Sequence, residues 1–228
     1  MHVDNKTKSS KTKRSSNAHD RLLEVGVDVF GKHGFDAATT RMIAKKAGVN
    51  IAAIPYYFNG KEGLYHKVVG YIAGKLESQV KSTLVEIEER AAEGNLNGEE
   101  ALVLLEKLLE KLINFMVGSP EAPRFARIVL REQLYPSSAY DILFYRIMAP
   151  MINAVSKMIA TATGAMPSRA VSLCALTLIG QVIVFRVARE TTVRALGLKG
   201  YSSDETAEIR RVILEQTRSM IEAMSRTG

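Results

Sequence analysis

No stretch of this chain alternates apolar and polar residues between hairpin turns. What recurs is helical spacing closed by Gly, Asn, Ser or Pro, and that restricts the chain to an all-α fold. Leu22, Leu23, Gly26, Val27 and Phe30 follow such spacing after Asn17 and Asp20, which stand as an N-cap and its partner, and "KHGF" ends the segment at Gly34. Thr39 or Thr40 caps a short second helix, "TRMIAKKA", that Gly48 stops; Asn50 caps a third that ends near Phe58. Asn59 and Glu62 then open a long helix to about Ala92.

Further on, Leu102, Leu105, Leu109, Leu112 and Phe115 keep near-heptad spacing. "SPEAP" breaks the chain before "RFARIVLREQLY", and "PSSAYD" precedes a helix to about Thr163. Pro167 starts an apolar helix that runs to Leu196, and Ser202 with Glu205 opens the last one.

Charge is unevenly placed along the 228 residues. The net charge is +7, and residues 1–61 carry 11 Lys and Arg against 5 Asp and Glu, leaving 20 against 19 for the rest. A basic head on a neutral body points to a polyanionic partner. Residues 1–16 are polar and low in complexity, so disorder is expected there. Two readings of Lys6, Lys8, Lys11, Lys13 and Arg14 stay open: a basic arm on DNA, or a leader that touches nothing specific.

Other classes are disfavoured. No run of about 18 uncharged apolar residues occurs, so no membrane span is expected. The N-terminus lacks the apolar core of a secretory signal. The single cysteine, Cys174, fits a reducing cytosol and sits in an apolar run, as an inert thiol would. His2, His19, His33 and His66 show no metal-ligand spacing, and no phosphate-cradling Gly loop appears. An enzyme is therefore not expected, and neither metal nor cofactor is.

Two short helices joined by a Gly-containing turn, behind a packing helix, form a helix-turn-helix unit. Over Arg21 to Tyr65 the residues sharpen that pattern. Phe30, Gly34, Phe35, Thr39, Thr40, Ile43, Ala44, Ala47, Gly48, Val49, Ile54, Tyr56, Phe58, Lys61, Glu62 and Leu64 fit the DNA-binding domain of TetR-family transcriptional regulators, which this stretch resembles. "IAAIPYYFNGKEGLY" and "LIGQVIVFRVAR" are most similar to the subgroup with a CecR-type C-terminal domain. The resemblance implies a helix-turn-helix domain over residues 17–60 and an effector-binding and dimerisation domain over 61–228.

It also implies roles for single residues. Thr39, Thr40, Arg41, Asn50, Ala52, Ala53, Pro55, Tyr56, Tyr57 and Lys61 fall where the family meets DNA. Thr39 and Thr40 serve as phosphate contacts or plain caps. Arg41 reads a guanine edge or meets a phosphate. Adjacent tyrosines point about 100° apart on a helix, so at least one of Tyr56 and Tyr57 faces DNA. Pro55 stands where relatives often carry a DNA-facing tyrosine; it is expected on the groove face, at the cost of one helical hydrogen bond. Phe58 is expected in the core against Phe30 and Leu64. Lys61 is a phosphate ligand or a solvated lysine, and Lys45 and Lys46 are ordinary surface charges.

For the remainder, the resemblance implies a homodimer through residues 167–196 and 204–226, reading a palindromic operator. A small-molecule effector is implied among Arg127, Arg131, Glu132, Tyr140, Tyr145, Arg146, Met148, Met151, Gln181, Phe185, Arg186 and Arg189, with Glu132 or Glu190 available to pair the arginines. The function implied is a repressor released by that effector, in the cytoplasm; activation or ligand-independent binding is the alternative, and a helical protein adaptor a remote one.

Overall fold

The computed structural model describes the backbone of residues 5–226 and the side chains of residues 18–226. The basic arm of the 1–16 tail lies outside the described side chains. The backbone is helical from Asn5, so the helix does not begin at an Asn17 cap, and residues 5–16 depart from the expected disorder. Among the described residues every regular element is a helix and no strand occurs, as the spacing requires. Contacts divide the chain into two units, Met1–Gly74 with Arg124–Leu143, and Lys75–Pro123 with Phe144–Gly228. This differs from a linear division near residue 60, because Arg124–Leu143 joins the N-terminal unit.

The first unit holds α1 (Asn5–Ala37), α2 (Thr40–Ala47), α3 (Ala53–Phe58), the first turns of α4 (Lys61–Ala92), most of α6 (Ala122–Leu134) and α7 (Tyr140–Leu143). Helix α1 is continuous from Asn5, with neither Gly nor Pro before residue 26 to stop it. It breaks at Gly34, whose φ of 76° is left-handed. That position also faces Arg131, since a Cβ there would lie 2.7 Å from the Arg131 Nη1. Leu22, Val27, Phe30, Ile43, Ile54, Leu64, Val68, Ile72 and Phe125 form the buried core of this unit.

The second unit holds the rest of α4, α5 (Gly98–Ile113) with a π turn over Asn114–Gly118, a second π turn over Phe144–Met148, α8 (Ala149–Thr163), α9 (Arg169–Val187), α10 (Arg189–Ala195) and α11 (Ser203–Ser225). Capping boxes at Asn97–Glu100 and Ser202–Glu205 open α5 and α11. The core joins Val80 and Ile87 to Leu105, Leu108 and Leu109, and these to Val155, Met158, Leu178, Val182 and Ile213.

Several boundaries depart from expectation. Asn59 does not open α4; it is left-handed (φ 59°) and closes α3, its N–H bonding the Pro55 carbonyl. Gly60 takes the cap position instead, its carbonyl accepting from Leu64 N–H at 3.1 Å. Ser168 caps α9 rather than Pro167. The apolar helix does not reach Leu196 unbroken but bends at Ala188 (φ −98°, ψ 28°). Thr192 Oγ1 bonds the Ala188 carbonyl at 3.1 Å, the kind of back-bonding that bends helices. Finally, α9 and the run Tyr140–Thr163 are long and apolar enough, by length and composition, to cross a membrane. The count of uncharged residues passes over them because Arg169 and Arg186 bound one run and Asp141, Arg146 and Lys157 cut the other.

Candidate nucleic-acid interface

Helix α2 begins where Thr39, in extended conformation, accepts the Met42 N–H at 3.2 Å. It ends at Gly48, left-handed with φ 62°, whose N–H returns to the Ala44 and Lys45 carbonyls. Ile43, Ala44 and Ala47 bury one side of α2, and Ile54 and Phe58 one side of α3. The remaining faces stay outward, and they carry the predicted contact residues.

Thr39, Arg41, Asn50, Ala52, Pro55 and Tyr56 are exposed, and Thr40, Ala53, Tyr57 and Lys61 are half-buried. Tyr56 is 81% exposed, so of the two tyrosines it is the outward one. Tyr57 turns toward α1, its ring 5.9 Å from that of His19, edge-on. Such a set can offer hydroxyls, one guanidinium and a flat apolar surface to a groove.

Pro55 costs less than the sequence implied. Helix α3 starts at Ala53, so Pro55 lies in its first turn, where backbone N–H groups lack helical partners anyway. The Ile51 carbonyl that a residue-55 N–H would have sought accepts from Ile54 at 3.1 Å. Asn50 Oδ1 accepts the Ala52 N–H at 2.9 Å and shapes the turn leading in. No helical hydrogen bond is lost.

The set is held by contacts the sequence did not reveal. His19 stacks on Phe58 at 4.9 Å, so it is a packing residue and not a bystander. Phe58 is buried, as expected. Lys46 reaches Asp28 at 3.2 Å and so ties α2 to α1. Asp28 also takes Arg124 Nε at 2.8 Å. Burial pushes the Asp28 carboxyl up, but the hydrogen bonds and charges of Arg124 and Lys46 outweigh it and hold the group below the usual carboxylate value. Lys61 Nζ donates to the Asp36 carbonyl at 3.1 Å and lies 4.5 Å from the Phe35 ring centroid. It is thus engaged within the protein and is neither free nor merely solvated.

The twelve residues singled out for an effector divide between the two units. Arg127, Arg131, Glu132 and Tyr140 belong to the first unit, the other eight to the second. Glu132, 2% exposed, is an anchor and not an arginine partner. It accepts from Tyr65 Oη at 2.5 Å and from Ser137 N–H at 3.0 Å. Burial, with the Glu132 hydrogen bond and charge added, raises the Tyr65 hydroxyl well above its ordinary value. His66 Nε2 lies 2.8 Å from Ser138 Oγ, so this histidine too is engaged.

In the second unit Arg146 pairs with Glu77 at 2.7 Å, and Glu190 pairs with Arg194. Met151 is core; Tyr145 is exposed and Met148 half-buried. Gln181 Oε1 is buried without a hydrogen-bond partner among the described residues. Arg186 and Arg189 have no carboxylate partner among the described residues, and the carbonyl of Phe185 accepts from Tyr201 Oη at 3.0 Å. A cleft of about 330 Å³ in this unit is lined by residues such as Glu86, Arg90, Asn97 and Glu100, none of them foreseen. No cluster of metal-ligating side chains occurs among the described residues.

Comparison with known proteins accounts for this arrangement. Residues 22–68 match the family of bacterial regulatory proteins of the tetR type. Residues 101–224 match the C-terminal domain of the HTH-type transcriptional dual regulator CecR. The Shigella flexneri protein of that name is 29% identical over 204 residues, covering 89% of this chain and 90% of its own. Among solved structures, AibR in complex with isovaleryl coenzyme A and operator DNA covers 87% of this chain and 97% of its own, with a TM-score of 0.62 at 14% identity. A TetR-like transcriptional regulator from Rhodococcus sp. RHA1 covers 89% and 96%, with a TM-score of 0.56 at 16% identity. The likeness to these structures is one of fold. The family is one of regulators and not of enzymes, and the α2–α3 pair is its DNA-binding helix-turn-helix. The chain belongs to the TetR family of transcriptional regulators and carries a CecR-type C-terminal domain.

Proposed function

We propose that this regulator works as a homodimer whose hold on a palindromic operator is released by a small molecule, so that it represses genes beside its own. The observation that carries the dimer is the outer side of α9. Leu173, Leu176, Val184 and Val187 are about half exposed there, beside the more covered Ile183, and α11 adds Val212. Apolar surface of that extent on two helices calls for a partner, and pairing residues 167–196 and 204–226 about a two-fold axis covers it. The same cover explains why α9 is apolar enough for a membrane while belonging to a DNA-binding protein.

Reading falls to Thr39, Thr40, Arg41, Asn50, Ala52, Ala53, Pro55 and Tyr56, with Tyr57 and Lys61 fixing the geometry behind them. Arg41 is the base reader, since its exposed guanidinium stands at the start of α2 without an ion-pair partner among the described residues. The basic tail adds phosphate contacts and steepens the salt dependence. By role, a tail over residues 1–16, a reading head over 17–60 and an effector and dimer part over 61–228 cut across the two compact units, and the protein acts in the cytoplasm, where its DNA is.

Binding of an effector, though not release by it, is supported by AibR, a neighbour in fold that holds isovaleryl coenzyme A together with operator DNA. A second reading, activation at some promoters, is favoured by the Shigella relative, which is named a dual regulator. Light scattering should give twice the chain mass, and footprints should overlap the promoter for repression or lie upstream of it for activation. A monomer at micromolar concentration would sink the dimer.

A further inference from the structure

The inward stripe of α9 runs Val171, Ala175, Leu178 and Val182, and its next member is Arg186, 8% exposed. A cation at the end of a core stripe is expected to find an anion. Arg186 finds only carbonyls: Nε donates to Met116 O at 2.6 Å and Nη2 to Val117 O at 3.3 Å. Both carbonyls belong to the π turn that ends α5, where the backbone ladder opens. Most of the five guanidinium N–H donors remain for another acceptor.

Arg189 follows one turn later and is also without a carboxylate among the described residues. Its guanidinium carbon lies 5.5 Å from the centroid of the Tyr201 ring, which is itself fixed through the Phe185 carbonyl. In the same unit Arg90, Arg146, Arg194, Arg211, Arg218 and Arg226 meet carboxylates, while the exposed Arg169 and the half-buried Arg210, like Arg189, meet none among the described residues. Burial, and then the charge of Arg189, lower the affinity of Arg186 for its proton, so the two feel each other as like charges. Two neighbouring cations, one buried, are held in place with no carboxylate among the described residues; the fold offers Arg186 only the partial negative charge of the carbonyls that end α5. Such a broken rule marks functional sites.

We propose that Arg186 and Arg189 form an anion-binding site that takes the carboxylate or phosphate group of a small organic acid. This rests on the ligand-responsive reading above and names the chemical class of its effector. The guanidinium of Arg186 is fixed by the π-turn carbonyls, and that of Arg189 by the Tyr201 face. Both are thus oriented before the anion arrives, which suits charge-assisted, two-pronged hydrogen bonds. Arg186 lies on the inward stripe, away from Leu173 and Val184, so it is not on the outer side that the second copy is proposed to cover.

The test is calorimetry on the full-length protein with octanoate, octyl phosphate and, as the uncharged control, octanol. At least one of the two anionic probes should bind, saturably, while octanol does not; whichever binds identifies carboxylate or phosphate. Arg189→Gln should weaken that probe at least tenfold, and Arg186→Lys should keep part of the binding that Arg186→Gln loses. Should Arg186→Gln fail to fold, Arg189→Gln at the half-buried position still decides. Octanol binding as well as the anions, neither anion binding, or Arg189→Gln binding like the wild type would each overturn the site. So would an Arg189→Gln protein whose only change is a weaker dimer. DNA retardation by the wild type, measured on the same samples, keeps the two readings apart: its loss sinks the regulator and its persistence with no anion bound sinks only the site.

Discussion

Gly63 and Phe58 approach so closely that a Cβ on Gly63 would stand 1.8 Å from the Phe58 carbonyl oxygen. The first turn of α4 thereby rests on the end of α3, the helix that carries Pro55, Tyr56 and Tyr57. Gly63→Ala must push the two helices apart. Overpacking of this kind costs about 1–3 kcal/mol. Thermal unfolding should show a lowered midpoint, and operator affinity should fall with it.

His19 and Phe58 make a second hold on the same helix, from α1. An aromatic pair is worth about 0.5–1.5 kcal/mol. His19→Ala should weaken DNA binding by about that amount, and His19→Phe should restore it, because the ring and not its charge does the packing. Fluorescence anisotropy on labelled DNA checks both variants.

Tyr65 and Glu132 give a pH dependence. Burial and the Glu132 contact raise the folded-state pKa of Tyr65, so folding favours the protonated phenol. The stability this contributes is complete below the unfolded value of about 10 and is lost as pH climbs from there toward the folded value. Tyr65→Phe should remove that part of the alkaline loss. At neutral pH it should cost about 1–3 kcal/mol, since buried Glu132 loses a donor. Denaturant midpoints at pH 7 and pH 10.5 read both effects.

Pro55→Ala should change stability by no more than about 0.5 kcal/mol, because no helical hydrogen bond is gained or lost in the first turn of α3. It should shift base preference if the exposed ring meets the groove. Arg41→Ala should cost about 1–3 kcal/mol on the operator and relax its specificity. An equal loss on unrelated DNA would make Arg41 a phosphate contact.

The reading head was legible because its signals are local. Thr39, Gly48 and Phe58 declare a cap, a stop and a core position from spacing alone. Pro55 was misjudged because its cost depends on where α3 begins, and Asn50 and Ile51 decide that through turn bonds with no sequence period. His19, Lys46 and Glu132 depend on partners 39, 18 and 67 residues away, separations that periodicity does not sense. The arginines of the effector list meet the same obstacle. Arginines look alike in sequence, and only the fold separates Arg146, paired with Glu77, from Arg186, which meets carbonyls alone.

The central claim, a two-fold dimer that reads DNA through α2 and α3, is tested most directly by footprinting the purified protein on its own upstream intergenic DNA. Two protected half-sites of inverted sequence should appear, their centres a whole number of helical turns apart, about 10–10.5 base pairs per turn. Protection should fade as salt rises. No protection at low salt, or a single unpaired half-site at saturation, would contradict it.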